Sequence, residues 1–417
     1  MDASNKNPFL SLIMIVKNEE VFLKQCLESV EDLVDEMVIV DTGSTDRSVE
    51  IAESFGARIY HHAWQNSFSE ARNYGLQFAK GNWLLQLDGD EELVREDIPL
   101  IRQCIQSSEY NGFNVILLNE GPDNALYKHR NIRLFRNGYV YYEGIVHNVP
   151  VVQGPVEITP IRILHHGYNL TPEKMEKKFK RSELLLLEQV KQYPQSSYGW
   201  ANLIRNYRLQ KRFNDVVKTG ESVLKEINPM PLFQKQMIMN DLMYGYFISD
   251  KIDEAISLGE QGLRENPFHL DMIFMMGGCL IKQKKFADAI QFFIQYLKIL
   301  ESGREKEGLE ALIIDTYGFQ GKAWNNIGTC FRDLGDWKQA LIAYQNAISI
   351  EDNNGIFYKN IGFIYIQINE LQNALEALYR AQKLLPSDVS VTITVEKIKE
   401  YLLKENDRSR GNKIRMD

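Results

Sequence analysis

The sequence predicts an α/β domain built on a mostly parallel sheet, followed by an all-α domain of helical repeats. Three observations carry that prediction. Over residues 9–170 short apolar runs alternate with helical stretches; beyond about Thr171 helix follows helix; and the last part aligns with itself at an offset of 34 residues. A length of 417 residues suits two or three domains of roughly 150 residues. A hydrophobic share of 44% and a charged share of 25% are those of a globular protein and argue against wholesale disorder.

The elements follow in order. Leu10–Val16 is short, apolar and rich in branched residues, as a buried parallel strand requires. Asn18 is expected to open a helix with Glu19 and Glu20 in its first turn, where carboxylates favour the helix dipole. Met37–Val40 reads as a second strand that ends in Asp41-Thr-Gly-Ser-Thr-Asp46. A helix around Ser48–Phe55, a strand at Arg58–His61 and a helix near Ser69–Ala79 precede the strand Trp83–Leu87, which ends at Asp88-Gly-Asp90. Repeated strand–helix units imply right-handed crossovers, and ligands of such sheets bind beyond the carboxyl ends of the strands. Three polar clusters, at Lys17–Glu20, Asp41–Asp46 and Asp88–Glu92, fall at those ends.

In the second domain the 34-residue offset links Gly328 to Gly362, Leu334 to Ile368, Ala340 to Ala374 and Ala347 to Ala381, and also Ala255 to Ala289. Small residues recur where two helices must approach closely. With Trp324, Phe331 and Tyr344 at their places, the pattern resembles tetratricopeptide repeats. The insert Glu301–Gln320 and a weaker unit near Trp200 give about four irregular repeats, a spacing that also suggests a homodimer through this domain. The expected boundaries are 1–170, 171–405 and a polar tail at 406–417.

Charge and cysteine usage exclude several classes. A net charge of −8 argues against nonspecific binding to nucleic acid or an anionic membrane. Nothing approaches the ~18 consecutive apolar residues of a membrane span, and Met1–Pro8 lacks the apolar core of a signal peptide. Cys26, Cys104, Cys279 and Cys330 are scattered without metal or disulfide spacing, so reduced core thiols and a cytoplasmic location are expected.

Asp88-Gly-Asp90 directly follows an apolar strand, so both carboxylates can approach a divalent ion and an attached diphosphate; hard oxygen ligands suit Mg²⁺ or Mn²⁺. Asp41–Asp46 reads either as a turn that caps the next helix or as an acidic group facing a nucleotide. Arg72 has two readings, a diphosphate contact or a structural partner of the carboxylates. The basic stretch Lys174–Arg181 reads as a solvated helix face, or as a reach toward the diphosphate or an acidic peptide.

The blocks IMIVKNEE (Ile13–Glu20), VIVDTGSTD (Val38–Asp46), FSEARN (Phe68–Asn73) and LDGDE (Leu87–Glu91), in that order, resemble glycosyltransferase family 2 over about residues 9–170. The resemblance implies a GT-A fold, a UDP-sugar donor and inverting transfer, in which an acceptor attacks the anomeric carbon opposite a metal-bound nucleoside diphosphate. By position, Val16, Asn18, Glu20 and Asp41 would border the nucleoside. Asp88 and Asp90 would serve the ribose, the diphosphate and the metal. The later patterns Tyr141–His147 and Leu164–Tyr168 resemble the peptide S-glycosyltransferases that modify bacteriocin precursors, with His147-Asn148 standing where many relatives have His-Glu.

Late histidines often complete the metal site of GT-A enzymes, which makes His165 the expected third ligand beside Asp88 and Asp90. His147 and Glu143 are the competing general bases. The acceptor implied is a peptide or protein, with a Cys thiol foremost. A thiol asks less of a base than a hydroxyl because its pKa of about 8.5 leaves it partly ionised at neutral pH. Two alternatives stand beside this: the same chemistry on a cell-surface glycan or lipid-linked acceptor, and a non-catalytic scaffold that binds nucleotide-sugar or peptide.

Overall fold

The computed structural model describes residues 9–120, 126–145, 149–167, 172–303 and 314–413. The first strands are β1 (Leu10–Val16), β2 (Glu36–Asp41), β3 (Arg58–His61), β4 (Trp83–Gln86) and β5 (Glu91–Leu93). Then come β6 (Gly112–Glu120), β7 (Leu126–Arg136), β8 (Val140–Glu143), β9 (Val149–Val152) and β10 (Val156–His165). Eight of them form one sheet in the order β3-β2-β1-β4-β7-β6-β10-β5, while β8 and β9 form a separate ribbon. The pairs β3–β2, β2–β1, β1–β4 and β6–β10 are parallel. The pairs β4–β7, β7–β6 and β10–β5 are antiparallel.

The apolar run of β1 is buried on both faces, which explains why it shows no alternation. Leu10, Leu12, Met14 and Val16 pack with Leu23, Cys26 and Leu27, while Ile13 joins Val38, Leu84, Phe135 and Tyr142 on the other side. The crossover helices are α1 (Leu23–Glu28), α2 (Ser48–Ser54), α3 (Phe68–Leu76) and α4 (Ile98–Cys104). The first helix therefore starts five residues later than Asn18, where the sequence places it. Asn18 sits in the left-handed region at φ 58°, and residues 18–20 bond sideways to the β2–α2 loop and the first residue of α2 instead of opening a helix. The third begins at Phe68, because the Ser67 hydroxyl accepts the Glu70 amide hydrogen.

Strands give way to helices after His165: α5 (Pro172–Gln192), α6 (Ser197–Leu209), α7 (Phe213–Glu226) and α8 (Leu232–Ile248). These belong to the same compact unit as the sheet, which extends to Asp250. Leu186, Val190, Ile204, Tyr207 and Val216 form their core, against which Trp64, Phe68 and Ile145 pack.

The second unit begins at Lys251 and holds α9 (Ile252–Glu265), α10 (Leu270–Lys282), α11 (Phe286–Ser302), α12 (Gln320–Asp333) and α13 (Trp337–Ile350). It continues with α14 (Gly355–Gln367), α15 (Leu371–Leu384) and α16 (Val389–Lys413). The last helix runs past Glu405, where the sequence suggests a polar tail; no proline interrupts it, and its first glycine is Gly411. The recurring glycines mark close helix approaches. A Cβ on Gly277, Gly328 or Gly362 would lie within 2.7 Å of Phe293, Tyr344 or Leu378, in each case a side chain of the next helix. Among the described residues no helix is long and apolar enough to cross a membrane.

Candidate functional site

The sheet order reverses between β1 and β4, and the crevice beyond their carboxyl ends is where such sheets hold ligands. One wall comes from the ends of β1 and β2. Val16, buried at the end of β1, accepts hydrogen bonds through its carbonyl from the Thr42 amide and hydroxyl. Asn18 Oδ1 accepts from the Thr45 amide at 2.8 Å, and Glu20 Oε2 accepts from the Arg47 amide at 3.2 Å. Burial opposes a charge on Asp41, but hydrogen bonds from Ser44 and the Gly43 amide hold its carboxyl below the usual carboxylate range. This carboxylate is thus committed to shaping its own loop.

The floor is the turn after β4. Asp88 Oδ1 accepts from Arg72 at 2.5 Å and Oδ2 from Arg133 at 3.4 Å; Arg133 also donates to Glu91 at 2.5 Å. Both guanidiniums are 8% exposed. Burial penalises the Asp88 charge, yet the two arginines outweigh it and hold the group well below its ordinary value. Arg72 also lies over the Tyr142 ring. Arg72 is thus a direct partner of the Asp88 carboxylate.

Asp90 faces a different set of groups. His165 Nε2 lies 3.3 Å from Asp90 Oδ2, and the Asp90 carbonyl accepts the His166 amide. A Cβ on Gly167 would overlap the Asp90 carboxylate oxygen and lie 2.8 Å from His165 Nε2. Glycine therefore leaves room for the Asp90 carboxylate to lie against the chain beside His165. Glu19 borders it: burial, together with the charges of Asp90 and Asp88, raises its carboxyl to about 7. His166 Nε2 lies 3.2 Å from Glu92, and its ring stacks on Phe22.

Among the described residues no three His, Cys, Asp or Glu side chains converge as a complete metal cage. Asp90 and His165 nevertheless fit a divalent cation as a pair: one hard oxygen and one imidazole nitrogen, adjacent, beside surplus acid. Asp88 has both oxygens engaged by arginine.

The role of FSEARN is visible in α3. Ser69 Oγ donates to the Gly144 carbonyl at 2.6 Å, the Phe68 amide donates to the Ile145 carbonyl, and Asn73 exchanges two hydrogen bonds with the Tyr142 backbone. The helix thereby fixes the segment that carries Glu143, which is exposed at the end of β8. His147 lies outside the described residues. The structure thus gathers Arg72, Asp88, Asp90 and His165 at one place and Val16, Asn18, Glu20 and Asp41 at the neighbouring wall, with Glu143 on the β8 ribbon.

Sequence reasoning missed Arg133, Asn119 and His129, which reach the site from β7 and β6. No motif marks them, and antiparallel strands place them where strand–helix alternation is silent. A faint signal existed: an arginine and an asparagine within apolar strand sequence require polar partners once buried.

Residues 11–156 match the family model for glycosyl transferase family 2, and residues 321–354 match that for the tetratricopeptide repeat. A TPR repeat-containing protein of Synechococcus elongatus is 42% identical over 128 residues, covering 31% of this chain and 32% of the relative. The SPbeta prophage-derived glycosyltransferase SunS of Bacillus subtilis is 29% identical over 198 residues, 45% of this chain and 47% of the relative. An uncharacterized glycosyltransferase of Rickettsia bellii is 34% identical over 117 residues, covering 26% and 38%. The matches thus span from about a third to about half of these relatives' own length. Among solved structures, YrrB, described as a TPR protein with an unusual peptide-binding site, is similar at TM-score 0.38 and 16% identity, over 51% of this chain and 97% of that one.

Proposed function

We propose, from the match of residues 11–156 to the glycosyl transferase family 2 model, a metal-dependent, inverting transferase that moves a hexosyl group from a UDP-sugar to a peptide or protein acceptor, foremost a Cys thiol of a bacteriocin precursor. The observation that carries the metal reading is the pairing of Asp90 with His165 beside an Asp88 already neutralised by arginine. Asp90 and His165 would hold the cation, whose chemistry there is to offset charge on the departing diphosphate. Arg72 and Arg133 keep Asp88 ionised and fixed, so the floor of the pocket does not shift when a charged ligand arrives. The Asn18 and Asp41 loops, hydrogen-bonded to each other, make a preformed wall for the nucleoside. Glu143, on the segment held by α3, would take the acceptor's proton, with His147 as its competitor. All four cysteines being free suits a reducing, cytoplasmic setting in which the reacting sulfur belongs to the acceptor. The helical repeats supply the surface that recruits the acceptor or a second copy of the chain.

The test is to incubate the protein with several UDP-sugars, Mn²⁺ and paired Cys- and Ser-containing peptides, and to read mass. A hexose added to the Cys peptide and abolished by chelator supports the reading. Transfer unaffected by chelator removes the metal, and a Ser-only product removes the thiol. Absence of both transfer and hydrolysis with every donor overturns the proposal.

A further inference from the structure

Three strands of the sheet place polar side chains in a row that ends at the acidic pocket. Asn119 on β6 and His165 on β10 are register partners in the parallel pair, and His129 stands on the adjacent strand β7. Asn119 Nδ2 lies 2.8 Å from His129 Nδ1, Asn119 Oδ1 lies 2.7 Å from His165 Nδ1, and His165 Nε2 lies 3.3 Å from Asp90 Oδ2. Asn119 is 5% exposed, so a polar side chain there is costly without partners.

A carboxamide offers a donor and an acceptor in fixed places on one plane. Burial keeps His129 neutral, its pKa pushed down to about 4, and so able to receive the Asn119 N–H. With its donor used there, the Asn119 oxygen takes the N–H of His165. A His165 that ligates a cation would then keep its proton on Nδ1 and offer the cation the lone pair of Nε2. Imidazole ligands are commonly oriented by such a second contact on their other nitrogen.

We propose that Asn119, anchored by His129, is a positioning residue that fixes the tautomer and ring plane of His165, so that Nε2 meets a divalent cation beside Asp90. This rests on the metal reading of the site and extends it to two strands that carry no motif. On this proposal the effect of Asn119 on the cation passes through His165, and that makes it separable from a residue that merely holds the sheet together.

The test is a double-mutant cycle read by Mn²⁺ binding, with free Mn²⁺ followed by electron paramagnetic resonance in the presence of UDP. Asn119→Leu, close in shape and without polar atoms, is expected to weaken Mn²⁺ binding by about 10–100-fold in the native background. In a His165→Ala background the same substitution is expected to change it less than about twofold, since the group being positioned is gone. His129→Phe removes the anchor in place of the amide and is expected to weaken binding in the same direction, again only while His165 is present. Equal losses with and without His165, or no loss in the native background, overturn the proposal. Failure of the native protein to bind Mn²⁺ at all overturns the metal reading and this inference with it.

Discussion

Asp88 and Asp90 stand two residues apart on one turn and occupy opposite electrical surroundings. Asp88 lies between two nearly buried guanidiniums, and together with Glu91 it makes a floor in which two negative charges meet two positive ones. Asp90 meets an imidazole at 3.3 Å, with Glu19 close enough that the Asp90 charge helps raise its carboxyl to about 7. One half of the motif is electrically closed and the other is short of positive charge. A sequence pattern that reads as a single chelate thus divides into a half held by arginines and a half that, on the function proposed above, is open to a cation, and residues from other strands make the difference.

The sharpest way to break that contrast is to neutralise each carboxylate in turn. Asp88→Asn leaves Arg72 and part of Arg133 buried without a full counter-charge, a change that typically costs about 3–5 kcal/mol. Asp90→Asn should cost less than about 1 kcal/mol, because its partner is a histidine that can lose its proton. Turnover should show the reverse selectivity at Asp90: a fall of at least about 100-fold while the urea unfolding midpoint stays near native. Comparable stability losses in the two variants would erase the distinction.

Gly167→Ala probes the open half without touching a charge. Its new methyl would overlap the Asp90 oxygen, so Asp90 or the chain at Gly167 must move. Overpacking of this kind costs about 1–3 kcal/mol. Displacing Asp90 from His165 should weaken Mn²⁺ binding about tenfold, measured by titration in the presence of UDP. Native Mn²⁺ affinity in this variant would show that the Asp90–His165 pairing is not what holds the ion.

How much of this was legible in the sequence follows from the kind of strand involved. β1, β2 and β4 were readable because buried parallel strands are continuous apolar runs, and their ends carried the polar clusters. The repeat domain was readable because Gly328 and Gly362 have no room for a Cβ, so the spacing of small residues records the packing itself. The partners of the carboxylates were not readable. Arg133, His129 and Asn119 come from the antiparallel middle of the sheet, where pairing is non-local and nothing nearby in sequence reports which carboxylate a basic residue will meet. Asn18 misled for a related reason: a polar residue followed by two glutamates is a good helix start, but hydrogen bonds to Ser44 and Thr45, some 26 residues away, hold it left-handed instead.

The smallest effect is the one that reads the contrast through pH. Glu19 has its carboxyl raised from 4.5 to about 7 by burial and by its acidic neighbours. In the unfolded chain Glu19 loses its proton near pH 4.5, whereas in the folded protein it keeps it until about pH 7. The folded state therefore binds more protons across that window, and Glu19 costs stability progressively as pH rises through it. Glu19→Gln should leave stability unchanged near pH 4.5 and raise it by about 1–2 kcal/mol at pH 8, a figure reduced from the full shift because the group is partly solvated. Asp88 titrates with the opposite sign: its carboxyl is held low, so its contribution is present at neutral pH and is lost only as pH falls below about 4. Urea unfolding of the native protein and Glu19→Gln at the two pH values checks this. An equal difference at both would mean that Glu19 is not strained by charge, and that the open half of the site is less acidic than its geometry indicates.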